Sequence, residues 1–302
     1  TLLIKLLISP LDYKSRKGMR RTQLIQPEIA KLQKKYANDK DKMNQKMAEL
    51  YRKENISPMS GCLPMLISMP LLFIMFAAMR NVANMELAKQ AIDLLVSGVQ
   101  TNESWLWIQN IWMPDSPFYA AIADQQNLQI IPADIWAKVY ASLTDATRAS
   151  LEGLGVNAGN ISGASIFQLL QATDVYQAET ALWHELPKLN LLITQMDIYA
   201  KPNGWFILPI LACVTQLLMS ATTQQPQQPA AEGQPDTGKF MKYFFPVFSL
   251  FICASSNASF ALYWVVSNVF AWAEQLIFNK VFEIQDRKGN TGKSVKEEDS
   301  IK

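Results

Sequence analysis

The sequence has few of the residues that most metal and catalytic sites need. Its three cysteines, Cys62, Cys213 and Cys253, form no CxxC pair and lie inside apolar stretches, so neither a zinc knuckle nor a disulfide framework is predicted. His184 is the only histidine, which argues against a histidine metal site and a catalytic triad. Without a phosphate-binding loop either, we expect a protein that is not an enzyme and needs no cofactor.

Charged residues are missing from long stretches, although they make up 18% of the chain. Residues 55–79 and residues 243–273 contain no Asp, Glu, Lys or Arg, over 25 and 31 positions. Uncharged runs of this length are longer than a soluble core helix and are typical of membrane spans. Residues 204–219 form a third apolar run. The predicted fold class is therefore an all-α membrane protein.

Five transmembrane helices account for these runs. Residues 1–11 are shorter than the roughly 20 residues of a span, so we expect a first helix whose beginning is missing. The polar cluster at residues 255–259 divides the longest run in two. The predicted order is the end of helix 1 at 1–12, a basic helical hairpin at 13–57, helix 2 at 58–81, a loop with a helical insert at 82–203, helix 3 at 204–220, a flexible Gln/Pro-rich linker at 221–239, helix 4 at 240–257, helix 5 at 258–279 and a disordered tail at 280–302.

The charges of two loops predict one orientation in the membrane. Residues 13–55 contain thirteen basic residues against five acidic ones, a net charge of +8. Residues 82–203 contain five basic residues against twelve acidic ones, a net charge of −7. Because positively charged loops stay in the cytoplasm, the first loop should be cytoplasmic and the second should lie outside. This orientation places the amino end outside and the carboxyl end in the cytoplasm.

The basic segment should fold as two antiparallel helices. Pro27 suits a first helical turn, apolar residues follow at helical spacing, and Asn38-Asp39 suits the turn before a second helix from about Lys40. Beside a membrane, such a hairpin serves either as a topology anchor in contact with lipid or as a docking surface for the ribosome or RNA. Charge alone leaves both interpretations open.

The loop at residues 82–203 is much longer than a connection needs to be. Pro132–Leu151 and Ile166–Trp183 have helical spacing, and the Gly/Asn/Ser-rich residues 153–163 separate them, so we expect a small helical cap. Five aromatic residues suit either the membrane interface or the core of this cap: Trp105, Trp107, Trp112, Phe118 and Tyr119.

Polar residues recur on single faces of the predicted spans. Lys5, Ser9 and Asp12 share one face of the first helix. Such residues either join the helices by hydrogen bonds, with Lys5 reaching lipid phosphate, or line a hydrated cavity that opens to the cytoplasm. Among the other polar positions are Gln216 and Ser220 in helix 3, and Trp264, Ser267, Asn268, Glu274 and Gln275 in helix 5.

Several motifs together resemble the YidC/Oxa/Alb family of membrane protein insertases. The resemblance covers residues 1–81, 105–119 and 203–279, and it leaves out residues 120–202. In chain order, the motifs are Thr1–Lys5 with Ser9–Leu11, Gln26-Pro27, Gly61–Pro64 with Met69-Pro70, Trp107-Ile108 and Leu262–Asn268.

The resemblance implies a five-helix core around a hydrophilic groove that opens to the cytoplasm and to lipid and is closed toward the outside. Lys5 occupies the position of the family's functional basic residue, where arginine is usual, so the charge is kept but the guanidinium fork is lost. Glu274 stands where glutamine is common. The groove or substrate-contacting residues implied are Lys5, Gln216, Trp264, Ser267, Asn268 and Glu274.

The implied function is that of a membrane protein insertase and chaperone in the bacterial inner (cell) membrane. The expected partners are nascent membrane proteins and membrane lipids. The ribosome and the Sec translocon are further candidates, and DNA is not expected. The alternative is a small solute transporter or channel, which favours inverted repeats that this sequence does not show. A purely structural scaffold would explain the hairpin but not Lys5.

Overall fold

A computed structural model describes residues 2–54, 63–181, 183, 189–190, 195–196, 198–222 and 237–300. Two short antiparallel strands, β1 (Leu189–Asn190) and β2 (Gln195–Met196), pair with Leu189 opposite Met196. His184, Cys62 and most of the predicted linker lie outside the described residues. The helices are α1 (Leu2–Leu24), α2 (Gln26–Lys35), α3 (Lys40–Lys53), α4 (Leu63–Ser97), α5 (Gln125–Gln129), α6 (Ala133–Ser142), α7 (Asp145–Gly153), α8 (Gly163–Leu170), α9 (Asp174–Thr180), α10 (Ile207–Thr222), α11 (Thr237–Ser255) and α12 (Ala258–Ser300).

The predicted spans fall on α1, α4, α10, α11 and α12, and three of these helices continue past the predicted ends. α1 continues beyond residue 12, α4 beyond residue 81 and α12 beyond residue 279. α12 thereby includes most of the tail that was expected to be disordered. Within the part of the chain that the structure describes, no helix combines the length and the apolar character that crossing a membrane requires.

Side-chain contacts join α1 to α12 beyond the predicted end of the first span. The ring of Tyr13 lies 5.4 Å from that of Phe278 and 5.2 Å from that of Phe282. The guanidinium groups of Arg16 and Arg20 lie over the same two rings, at 5.9 and 5.6 Å. These cation–π and aromatic contacts favour continuous helices on both sides, although Pro10 removes one hydrogen bond inside α1.

The chain divides into two compact units. The first unit comprises residues 1–72, 213–248 and 265–302, and it contains α2 and α3, which occupy the segment assigned to the basic hairpin. Ile25, Ile29 and Leu50 are buried between these helices. The side chain of Asp39 accepts a hydrogen bond from Lys42 N at 3.0 Å and so caps α3.

The second unit comprises residues 73–212 and 249–264. The later part of α4 contributes apolar residues at helical spacing, including Leu87, Ala91 and Leu94, to a buried core. The helices α5 to α9, which we call the cap, complete this core, and Trp136 at its centre is almost fully buried. α4 extends past residue 81 because its apolar face packs in this core.

Each of the two helices predicted in the cap is in fact two shorter helices. Pro132–Leu151 is interrupted before α7, where Thr144 Oγ1 accepts a hydrogen bond from Thr147 N at 3.2 Å. Ile166–Trp183 is interrupted before α9, where Thr173 Oγ1 accepts one from Tyr176 N at 3.3 Å. The apolar spacing did not show these breaks, because the helices on both sides of each break face the same core.

Gly163 offers a test of how tightly the cap is packed. A Cβ atom at this position would overlap the carbonyl oxygen of Leu128, a backbone atom that cannot rotate away. We expect Gly163→Ala to destabilise the cap by about 1–3 kcal/mol, because the backbone of α8 must shift. Pulse proteolysis in urea measures this as a lower midpoint for cleavage within residues 120–181.

Gly153→Ala is the matched control for this substitution. Gly153 lies at the end of α7, and no atom lies within 4 Å of a Cβ built on it. This variant should unfold at the wild-type urea concentration or slightly above it, because alanine favours the helix. Equal effects of the two substitutions would contradict the packing that the structure shows at Gly163.

Candidate functional site

Four buried polar residues share one face of α12 in the first unit. Ser267 and Glu274 are seven residues apart, and so are Asn268 and Gln275, which places all four on adjacent lines along the helix. Their neighbours Val266, Val269 and Leu276 are exposed. The helix therefore buries polar side chains and exposes apolar ones, the reverse of a helix in a water-soluble protein.

A hydrogen bond joins this polar face to α10. Asn268 Nδ2 donates to Thr215 Oγ1 at 3.2 Å, and Gln216, the next residue of α10, is half-buried. The contact supports the interpretation of these residues as links between helices, with a typical value of about 0.6–2 kcal/mol for each bond in a membrane.

Two oxygen atoms on the same face differ from Asn268, because no described residue hydrogen-bonds to them. These atoms are Ser267 Oγ and Glu274 Oε1, and both are buried. A buried polar atom without a partner costs about 1–3 kcal/mol, and more if it is charged. Such atoms are few in native proteins, and each needs an explanation.

The polar face of α1 continues further than the sequence analysis expected. Lys5, Ser9, Asp12 and Arg16 follow each other at spacings of four, three and four residues, and all four are half-buried. Asp12 interacts electrostatically with Lys5, Arg16 and Glu274, and Arg16 interacts with Asp12 and Glu274. Two acidic and two basic side chains thus share this region, so the charge of Lys5 is not isolated.

Glu274 lies within electrostatic range of the part of α1 around Asp12 and Arg16. Arg16 is eleven residues after Lys5, or about 16 Å along a helix. The described structure contains no hydrogen bond and no ion pair between Lys5 and Glu274.

Trp264, the remaining predicted site residue, belongs to the second unit. Its ring lies 5.6 Å from that of Phe260, and its indole Nε1 is buried without a hydrogen-bond partner among the described residues. The other five predicted residues, Lys5, Gln216, Ser267, Asn268 and Glu274, belong to the first unit.

The structure also reveals a buried polar cluster in the second unit that the sequence analysis missed. Asp115 is fully buried, and its carboxylate accepts hydrogen bonds from Trp205 N at 2.8 Å, Leu208 N at 2.7 Å and Trp107 Nε1 at 3.3 Å. Leu208 is the second residue of α10. A carboxylate 93 residues away in sequence therefore caps the amino end of this helix.

The segment that carries Asp115 also binds the amino end of α12, and we call residues 105–116 the strap. Ala258 N donates to the carbonyl oxygen of Met113, and Ser259 N donates to that of Ile111, both at 2.9 Å. The strap thus satisfies N–H groups at the starts of two helices that have no partner inside the helix itself.

Asn203 fixes the strap to the chain just before α10. Asn110 N donates to Asn203 Oδ1 at 2.7 Å, and Asn203 Nδ2 donates to the carbonyl oxygens of Asn110 and Pro114, both at 2.9 Å. Gly204 follows, and a Cβ there would overlap the carboxylate of Asp115. The sequence shows Asn110 and Asp115 within an aromatic stretch, but nothing in it indicates which residues they bond to.

Asp115→Ala tests the strap. The substitution leaves three N–H groups without their acceptor, of which that of Leu208 is buried, and we expect a loss of about 2–5 kcal/mol in the stability of the second unit. Asp115→Asn keeps one carbonyl acceptor and should lose less. Urea-dependent proteolysis of the purified protein measures both effects.

Asp145→Ala provides the control for these substitutions. The Asp145 carboxylate is almost fully exposed and pairs with Arg148 one helical turn later. Surface pairs of this kind contribute little, so this variant should be close to wild type. If Asp115→Ala were as stable as Asp145→Ala, the strap would not hold the start of α10.

Known proteins resemble nearly the whole chain. The model of the family described as 60Kd inner membrane protein matches residues 1–149 and 164–286. This match includes most of residues 120–202, which the motifs had left outside the resemblance. The cap is thus within the family pattern, apart from residues 150–163.

Several curated relatives carry the name membrane protein insertase YidC. The protein of Clostridium perfringens (strain 13 / Type A) is 41% identical over 122 residues, which are 40% of this chain and 45% of that protein. The protein of Fusobacterium nucleatum subsp. nucleatum is 44% identical over 81 residues, 27% of this chain and 40% of that protein. The protein of Treponema denticola is 26% identical over 280 residues, 93% of this chain and 33% of that protein. The chain spans less than half the length of these relatives.

Proposed function

Because this chain belongs to the 60Kd inner membrane protein family, in agreement with its motifs, we propose that it is a membrane protein insertase and chaperone of the bacterial inner membrane. Its substrates are short hydrophilic segments of nascent membrane proteins and the apolar helices attached to them. The single observation that carries the proposal is the buried polar face of α12, with Ser267 Oγ and Glu274 Oε1 left without partners among the described residues.

The mechanism is physical and forms no covalent bond. A polar peptide loses its hydrogen bonds to water in the hydrocarbon core, at a cost of several kcal/mol for each unsatisfied group. A groove lined by Gln216, Ser267 and Asn268 replaces part of that hydration, while the apolar helix of the substrate moves into lipid. Burial of this helix, aided by the membrane potential, drives insertion.

Lys5 attracts acidic residues of the substrate, but its neighbours moderate that attraction. Asp12, Arg16 and Glu274 bring the local charges close to balance. A lysine also acts as a point charge and lacks the bidentate fork of arginine. We infer that this protein depends less on acidic substrate segments than a relative with an isolated arginine in its groove.

Five transmembrane helices surround this groove in the proposed arrangement, with the amino end outside and the carboxyl end in the cytoplasm. The loop charges of +8 and −7 support the orientation. Membrane lipids contact the helices, and the ribosome and the Sec translocon are candidate partners on the cytoplasmic side. A small solute transporter is the competing function, and it predicts that no nascent chain reaches the polar face of α12.

Site-specific photocrosslinking distinguishes these functions. A photoreactive amino acid at Gln216 or Ser267 should capture a ribosome-bound nascent membrane protein, because both positions lie on the proposed groove. The adjacent positions Leu217 and Val266 are the matched controls, since both side chains are exposed apolar neighbours on the same helices. Equal yields at the polar and apolar positions would indicate contact through the lipid phase and would contradict the groove.

Double-mutant cycles test which basic residue is coupled to Glu274. We expect Arg16→Gln and Glu274→Gln to be coupled by more than about 0.5 kcal/mol in the insertion of a reporter protein, because the two charges interact in the structure. The cycle of Lys5→Ala with Glu274→Gln should be closer to additive. If the Lys5 cycle showed the larger coupling, Glu274 would pair with Lys5 and not with Arg16.

A further inference from the structure

The strap begins with a tight turn that exposes a strained apolar residue. Trp105 N donates to the carbonyl oxygen of Ile108 at 2.9 Å, and Ile108 N donates to that of Trp105 at 2.8 Å. At the tip, Leu106 has a φ of 50° and is 75% exposed. A branched apolar residue rarely adopts this left-handed conformation, and such strain often marks a functional segment.

Asp115 holds this turn beside the start of α10. Its carboxylate accepts hydrogen bonds from both Trp107 Nε1 and Trp205 N, so the turn and the chain at residue 205 meet at one group. The side chain of Trp205 is 60% exposed, and Phe206 after it has a left-handed φ of 62°. We call Trp105, Leu106 and Trp205 the tryptophan patch.

The other aromatic residues of this region are not part of the patch. Trp112 and Tyr119 pack against the core of the second unit. Burial, with a smaller contribution from Asp124, raises the pKa of the Tyr119 hydroxyl above its ordinary value. The ring of Phe118 lies 5.4 Å from that of Phe206. The sequence allowed two locations for these aromatic residues, the membrane interface and the core of the cap. Trp112 and Tyr119 pack against the core, whereas Trp105 is exposed at the surface.

The chemistry of the patch fits lipid better than a charged partner. Residues 104–114 and 202–212 contain no Asp, Glu, Lys or Arg. The exposed apolar surface continues from Trp205 along α10 at Ile210 and Leu211. Indole rings, with an apolar body and one N–H group, favour the boundary between lipid headgroups and acyl chains.

We propose that the tryptophan patch inserts into this headgroup–acyl boundary next to the amino end of α10. The occupant of the patch is phospholipid. Since the strap binds the starts of both α10 and α12, the contact with lipid sets the depth of both helix ends. The proposal rests on membership of a membrane-protein family and does not require insertase activity, so a failure of either proposal leaves the other standing.

Fluorescence quenching in a bilayer tests the proposal. In a chain with Cys62, Cys213 and Cys253 replaced by serine, Leu106→Cys is labelled with a small environment-sensitive dye. The full chain is then reconstituted into phosphatidylcholine and phosphatidylglycerol vesicles that contain lipids with a nitroxide near the top of the acyl chain. We expect quenching about twofold or more above that of a control label at Ile130→Cys.

Ile130 is a matched control because it is an apolar residue of the second unit with 60% exposure. A second label at Trp205→Cys should behave like the one at Leu106. Emission typical of water at both patch positions, with quenching no greater than at Ile130, would overturn the proposal. The proposal would also be wrong if the dye were protected from water to a degree that rises with protein concentration and does not depend on the nitroxide lipid. That result would indicate a protein partner or a second copy of the chain.

Discussion

The capping of α10 by a carboxylate distant in sequence is the constraint on which the arrangement of the second unit depends. Asp115 is buried, so its charge must be balanced by donors that the fold brings to it. The backbone N–H groups of Trp205 and Leu208 supply them at the positive end of the helix dipole. The Asp115 carboxylate and the N–H group of Leu208 therefore satisfy each other, because each would otherwise be buried without a hydrogen-bond partner.

This constraint accounts for several features around the strap. Gly204 has no side chain because the Asp115 carboxylate occupies the space that a Cβ atom would need. Asn203 bonds with three backbone groups of the strap and thereby fixes its distance from α10. The exposed turn at Leu106 is held by the same carboxylate through Trp107. The exposed turn and the start of α10 are therefore linked through one buried acid.

The first unit has a different feature, a helix that buries polar side chains and exposes the apolar residues beside them. The polar face of α12 is partly satisfied through Thr215 and partly left without partners among the described residues. Elsewhere in this unit, the guanidinium groups of Arg16 and Arg20 lie over the rings of Phe278 and Phe282. α1 and α12 therefore share an aromatic contact, and α12 also has a buried polar face.

The amino-acid sequence alone is enough to predict the family, the uncharged runs, the hairpin proline and the helix faces of Lys5, Ser267 and Asn268, because these features are local in the chain or repeat at helical spacing. The ends of α1 and α4 are visible only in the folded chain, since residues beyond the predicted ends pack against Phe278 and in the cap core. The folded chain also shows which tryptophans are exposed and which acid caps α10. Asp115 and Leu208 are 93 residues apart, and no periodicity relates a helix start to a partner that the folded chain brings to it.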